Sequence, residues 1–132
     1  MTGEPNRPRK TGPPPAALIR AAEGAHRGGA WSGSVSGEAL DADALILFVH
    51  TDEIGAGPSW HVHPYDEIFV VAEGCARFIV GSETFDAEAG DVVKGPAAVP
   101  HKYRNLGPGP LRTIDIHLSR TWVQTDLEDP EG

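Results

Sequence analysis

Between Leu45 and Leu118 short apolar runs alternate with polar breaks, and Gly, Pro or Asp stands in most of the gaps. The runs are LILFVH (45–50), WHVH (60–63), EIFVVA (67–72), ARFIVG (76–81), ETFDA (83–87), DVV (91–93), HKYRN (101–105) and LRTIDIHL (111–118), rich in β-branched and aromatic residues. They predict about eight short strands closed by turns, which means an all-β sandwich or small barrel and not a parallel α/β sheet. Side chains alternate across a strand, so Ile114, Ile116 and Leu118 share one face of the last strand, and Thr113, Asp115 and His117 the other. That polar face is suited to line a cavity. EIFVVA and LILFV are apolar on both faces and need cover on both. The outer cover is either a partner subunit or the N-terminal arm, and the apolar outer faces predict a homodimer.

The rest of the chain frames this barrel. Residues 1–15 carry five of the 12 prolines and almost nothing apolar, which predicts a poorly ordered extended tail. Residues 16–30 form an arm, in which AALIRAAE (16–23) is either two helical turns or a segment laid on the body. The barrel domain is expected over 31–120 and a C-terminal extension over 121–132. A length of 132 residues suits one domain, and Gly 16 with Pro 12 argues against a helical bundle.

The net charge of -8 is uneven: the first 29 residues carry +3 and the remaining 103 carry -11. So acidic a body is a poor binder of phosphate backbones, and the early basic residues, scattered among prolines, read as a solvated tail; no nucleic-acid partner is expected. No run approaches the ~18 apolar residues of a membrane span, and the start lacks the apolar core of a signal peptide, so a cytoplasmic protein without a membrane partner is expected. The single cysteine, Cys75, has no internal disulfide partner and reads as an inert thiol in a reducing compartment.

Chemistry concentrates between Gly55 and Asn105. In an extended strand His61 and His63 share a face about 7 Å apart, and Glu67 keeps the same parity if the strand resumes after Pro64. A lone His-X-His is more often a pair of surface histidines than a site. His101, which opens HKYRN after the turn GPAAVP, supplies a fourth group. Three His and one Glu make a mixed nitrogen and oxygen set suited to a divalent transition metal: Fe, Mn, Ni, Zn or Cu.

These residues resemble the cupin family. Its first motif, Gly-X5-His-X-His-X3or4-Glu-X6-Gly, is matched by Gly55, His61, His63, Glu67 and Gly74. Its second, Gly-X5-Pro-X-Gly-X2-His-X3-Asn, is matched by Gly90, Pro96, His101 and Asn105, with Ala98 in place of the inner Gly. The 15 residues between the motifs, Cys75 to Ala89, suit compact single-domain bacterial members. The resemblance implies a double-stranded β-helix, or jelly roll, with a metal inside held by His61, His63, Glu67 and His101. The Ala98 departure bears on a tight turn, where a left-handed backbone would demand Gly.

A divalent ion so held leaves positions for a small oxygenated organic ligand. Two chemistries then diverge: dioxygenase chemistry at a redox ion, or isomerase, cyclase, lyase or decarboxylase chemistry at a Lewis acid. The second needs an acid or base beside the metal. His117, Asp115 and Tyr103 are the candidates, with His50 behind them as a packed strand histidine. His117 is alternatively a rim histidine, and Asp115 an ion-pair member or a partner orienting a ligand His. Phe69, Val71 and Phe78 would wall the pocket, and Trp60 and Trp122 are core or rim. The other functional class is a non-catalytic module that binds a small ligand or regulates. Because ligand His must be neutral, metal loss is expected below about pH 6.

Overall fold

The computed structural model describes residues 12–131. The expected disorder of residues 1–15 therefore falls largely outside the described residues. Strands are β1 Gly33–Val35, β2 Leu45–Thr51, β3 His61–Val62, β4 Glu67–Glu73, β5 Cys75–Val80, β6 Glu83–Glu88, β7 Val92–Gly95, β8 His101–Asn105, β9 Leu111–His117 and β10 Thr125–Asp126. They form two five-stranded antiparallel sheets, sheet A in the order β1-β2-β9-β4-β7 and sheet B in the order β10-β3-β8-β5-β6. This is the all-β jelly roll that the strand pattern and the resemblance led one to expect.

The alternation that marked the strands sets what faces inward. On β9 Leu111, Thr113, Asp115 and His117 are buried and the residues between them are half-buried, while β5 buries Ala76, Phe78 and Val80. Phe69, Val71, Ala76, Phe78, Val80, Ala87, Val93, Tyr103 and Leu111 make one core between the sheets. Phe69 lies 5.1 Å from Phe78 and Phe78 4.8 Å from Tyr103 between ring centroids. Full burial of a Phe contributes about 2 to 3 kcal/mol, so these tilted, packed rings help to hold the sheets face to face.

The elements outside the eight expected strands are short. AALIRAAE yields only a 3-10 turn, Ala21–Glu23, with no buried residue to anchor a longer helix. One helical turn, α1 (Gly37–Leu40), is capped by Ser36, whose side chain accepts from Ala39 N–H. Trp31 stands edge-on to Phe48 on the outer face of sheet A and donates its indole N–H to the Thr113 carbonyl, so part of the outer cover is the chain's own lead-in. Among the described residues no helix is long and apolar enough to cross a membrane.

Turns at the two motifs use left-handed backbone. Gly55, Gly74 and Gly90 all have positive φ, and at Gly74 a Cβ would meet the Pro110 carbonyl at 2.3 Å. Ala98 adopts φ 65° despite its methyl group, and its N–H donates to the His63 carbonyl at 2.8 Å. The turn geometry thus survives the missing glycine, with backbone strain at Ala98.

Candidate metal centre

Both sheets contribute to one cluster at the end of the barrel interior. On sheet B, His61 of β3 pairs in register with His101 of β8; on sheet A, Glu67 of β4 pairs with His117 of β9 on one side and Gly95 of β7 on the other. His63 follows β3 on the same face as His61, as its parity requires. His61, His63, Glu67 and His101 each offer one ligand atom, all within 4.8 Å of one another, and all four are buried. They form a group that could hold one metal ion.

Backbone carbonyls and Gly95 set how the donors are presented. His61 donates its Nδ1–H to the Ser59 carbonyl, and His63 donates its Nδ1–H to the Val123 carbonyl at 2.7 Å. Each bond leaves Nε2 with the lone pair a metal needs. The Nε2 of His63 is buried, 3.1 Å from Glu67 Oε1, yet has no hydrogen-bond partner. His101 presents Nε2 to Glu67 Oε1 at 3.0 Å, and its Nδ1 lies buried without a partner. Gly95 makes room for this ring: a Cβ there would fall 2.9 Å from His101 Nδ1. Buried nitrogen lone pairs around one carboxylate fit a divalent transition metal.

Electrostatics agree with that fit. Burial pushes the Glu67 carboxyl up, but the His101, His117 and His63 imidazoles around it outweigh that and hold the group well below the usual carboxylate range. Burial draws His61 below its ordinary value, against the pull of the Ser59 carbonyl. At His63 burial acts downward too, but Glu67 and the Val123 carbonyl prevail and raise it.

The three acid–base candidates all lie inside the barrel. His117 is buried and presents Nε2 to Glu67 Oε2 at 3.0 Å. Its Nδ1 accepts from the Tyr65 hydroxyl at 2.7 Å, and that hydroxyl accepts in turn from Val123 N–H at 3.1 Å. Among the described residues Asp115 makes no ion pair and no hydrogen bond to a histidine. It accepts from the Tyr103 hydroxyl at 2.8 Å through Oδ2, while its buried Oδ1 has no partner. Burial, then the charge of Glu67, push its carboxyl up to about 7 against bonds from Tyr103 and Thr113. Tyr103, also bonded to Thr113 Oγ1 at 2.9 Å, is driven well above its ordinary value by burial and by Asp115.

Other candidates lie elsewhere. His50 faces outward and pairs with the exposed Asp52 at 3.0 Å. Phe69, Val71 and Phe78 are fully buried in the core. Trp60 is half-buried, and Trp122 is 55% exposed with its ring 5.5 Å from His117, a rim position. Sequence reasoning missed Tyr65 and the Val123 backbone. Tyr65 shares the parity of His63 and Glu67, which was a usable signal, whereas nothing in the residue types marks Val123.

Comparison with known proteins places this geometry. A family model for the cupin domain matches residues 48–117. An uncharacterized protein of Methanocaldococcus jannaschii is 31% identical over 62 residues, covering 46% of this chain and 50% of that one. Another, of Streptomyces coelicolor, is 37% identical over 54 residues, covering 41% and 51%. The chain spans about half the length of these curated relatives. Among solved structures, one of Bacillus subtilis oxalate decarboxylase concerned with its Mn(II) centres is 26% identical with a TM-score of 0.66, covering 72% of this chain and 27% of that chain. A structure of the same enzyme at pH 4.6 is 26% identical with a TM-score of 0.65 over the same shares. The family match takes in more than half of the chain, and both sheets and the His-His-Glu-His cluster agree with it: this chain belongs to the cupin family.

Proposed function

We propose that the protein is a metal-dependent cupin enzyme acting on a small oxygenated organic molecule, with a divalent transition metal held by His61, His63, Glu67 and His101. The observation that carries this is the convergence of three imidazoles on one buried carboxylate, two of them with their tautomer set by backbone carbonyls. When bound, such an ion polarises a substrate carbonyl or carboxylate as a Lewis acid, or supports oxygen chemistry if it is redox-active.

This chain's own residues supply the rest. Asp115, its carboxyl pushed up chiefly by burial and its Oδ1 without a partner, is the candidate proton donor inside the barrel. Tyr103 fixes the other carboxyl oxygen. His117, bonded to Glu67 and Tyr65, holds the second oxygen of Glu67. The two solved structures compared above are of oxalate decarboxylase, which favours a small carboxylate as substrate and lyase chemistry over isomerase or dioxygenase chemistry. The runner-up is a non-catalytic module that binds a small ligand. It is favoured by the closure of the centre, where His61, His63, Glu67, His101 and His117 are each at most 5% exposed.

Elemental analysis of protein purified without chelators should find about one transition metal per chain, lost in His61→Ala and His101→Ala. A panel of small carboxylates, oxalate included, followed by carbon dioxide release and oxygen uptake, should show turnover that falls with metal loss. Metal far below stoichiometry, or turnover unchanged in both variants, would sink the enzyme reading. Stoichiometric metal without turnover of any panel member would favour the binding module.

A further inference from the structure

The centre is closed, and the chain that closes it comes from the far C-terminal side. After β9 the backbone bends through Leu118–Thr121, where Ser119 Oγ donates to the Thr121 carbonyl and accepts from Thr121 N–H. The next residues cross the cluster. Trp122 stands edge-on to His117, Val123 takes the Nδ1–H of His63 on its carbonyl, and its own N–H goes to Tyr65. β10 then pairs with β3, Thr125 opposite Val62 and Asp126 opposite His61, and Leu127 N–H donates to the Trp60 carbonyl. Beyond it Lys102 of β8 binds both Asp129 and Glu131.

Two facts about this segment stand in contrast. Its backbone orients His63 directly and His117 through Tyr65, yet residues 121–127 are all exposed; besides the bonds to His63, Tyr65 and Trp60 they are held by a two-residue strand, with the Lys102 anchor just beyond at Asp129 and Glu131. A segment this exposed, paired through only a two-residue strand, opens at low cost compared with the barrel strands. Substrate and metal need such an opening, because none of the five cluster side chains is exposed by more than 5%.

We infer that residues 121–126 are a strap over the metal centre, hinged at Ser119–Thr121 and latched by Lys102 to Asp129 and Glu131. Closed, the strap sets the orientation of His63 and His117; open, it admits metal and small ligands. The inference rests on the metal reading for what is admitted, but the strap's motion stands apart from it. A part that merely supported a ligand would change how fast metal leaves, whereas a gate changes entry and exit together.

The test uses the full chain, its Lys102→Gln variant and a second variant, Asp129→Asn with Glu131→Gln, which removes the latch from the other side. Hydrogen exchange on metal-free protein should show residues 121–127 exchanging as one unit, faster than β4 and β9. Both variants should speed that unit by about tenfold while leaving the barrel strands unchanged. In stopped-flow mixing with Mn2+, then with excess chelator, both variants should raise the entry and the exit rate by similar factors of about three to ten, leaving the dissociation constant little changed. Exchange in 121–127 as slow as in β9, or insensitive to both variants, would overturn the strap even if Mn2+ binds. A rise in exit alone would overturn the gate and leave a simple support. Failure of the unaltered chain to bind Mn2+ would refute the metal reading, while the exchange result would still decide the strap.

Discussion

Replacing Asp115 by Asn should make the protein more stable, and increasingly so as pH rises. The carboxyl is buried, has one oxygen without a partner, and carries a pKa of about 7 in the fold against an ordinary 3.8. An acid whose pKa is raised by folding contributes its full stability below the ordinary value and loses it as pH rises through the folded one. Asn keeps the shape and an oxygen toward Tyr103 but cannot ionise. The variant should therefore gain on the unaltered protein by about 1.4 kcal/mol per pH unit across that window, about 4 kcal/mol in all. Between about pH 5 and pH 8 more than half of this should be visible. Urea unfolding of chelator-treated protein reads it as a midpoint shift of about 1 to 2 M. Chelation matters because a cation on Glu67 would cancel the charge that helps to raise Asp115. Groups common to both proteins drop out of the difference. A stability gap that is flat across this range would refute the reasoning, and so would one that closes as pH rises.

Ala98→Gly should stabilise the fold by about 0.5 to 1 kcal/mol, because relief of the left-handed alanine outweighs the added freedom of the unfolded chain. Thermal melts would check it, and a lower melting temperature would contradict the strain at this turn. Gly95→Ala should push His101 aside and weaken metal binding by about tenfold or more, measured by metal titration; unchanged affinity would mean that the ring does not need the space. The outer face of sheet A still presents half-buried Ile46, Ile68, Val70, Ile114 and Ile116, and light scattering at micromolar concentration should show a homodimer that Ile68→Lys dissociates. A monomer at that concentration would remove the dimer reading.

Much of the architecture was legible because burial follows the period of two so closely. HKYRN and LRTIDIHL occupy β8 and β9 within one residue, and the polar face of β9 is the buried one. The cluster was legible for the same reason, since His61, His63 and Glu67 share parity and turns near Gly55 and Gly90 set their strands. What escaped depends on long-range backbone pairing. β10 is two exposed residues whose strand character comes from lying beside β3, and β1 is three residues held by β2. The partner of Asp115 escaped too: parity put Tyr103 and Asp115 inside the barrel, but only the packing of sheet B against sheet A decides that they touch.

Glu67 rises from sheet A while the imidazoles that meet its Oε1 belong to sheet B and the turn beside it. The carboxylate is therefore a rivet driven through both walls of the barrel near its mouth, where the packed rings of Phe69, Phe78 and Tyr103 no longer fill the space between them. An ion held there would tie the two walls together, so filling the centre would also stiffen this end of the barrel.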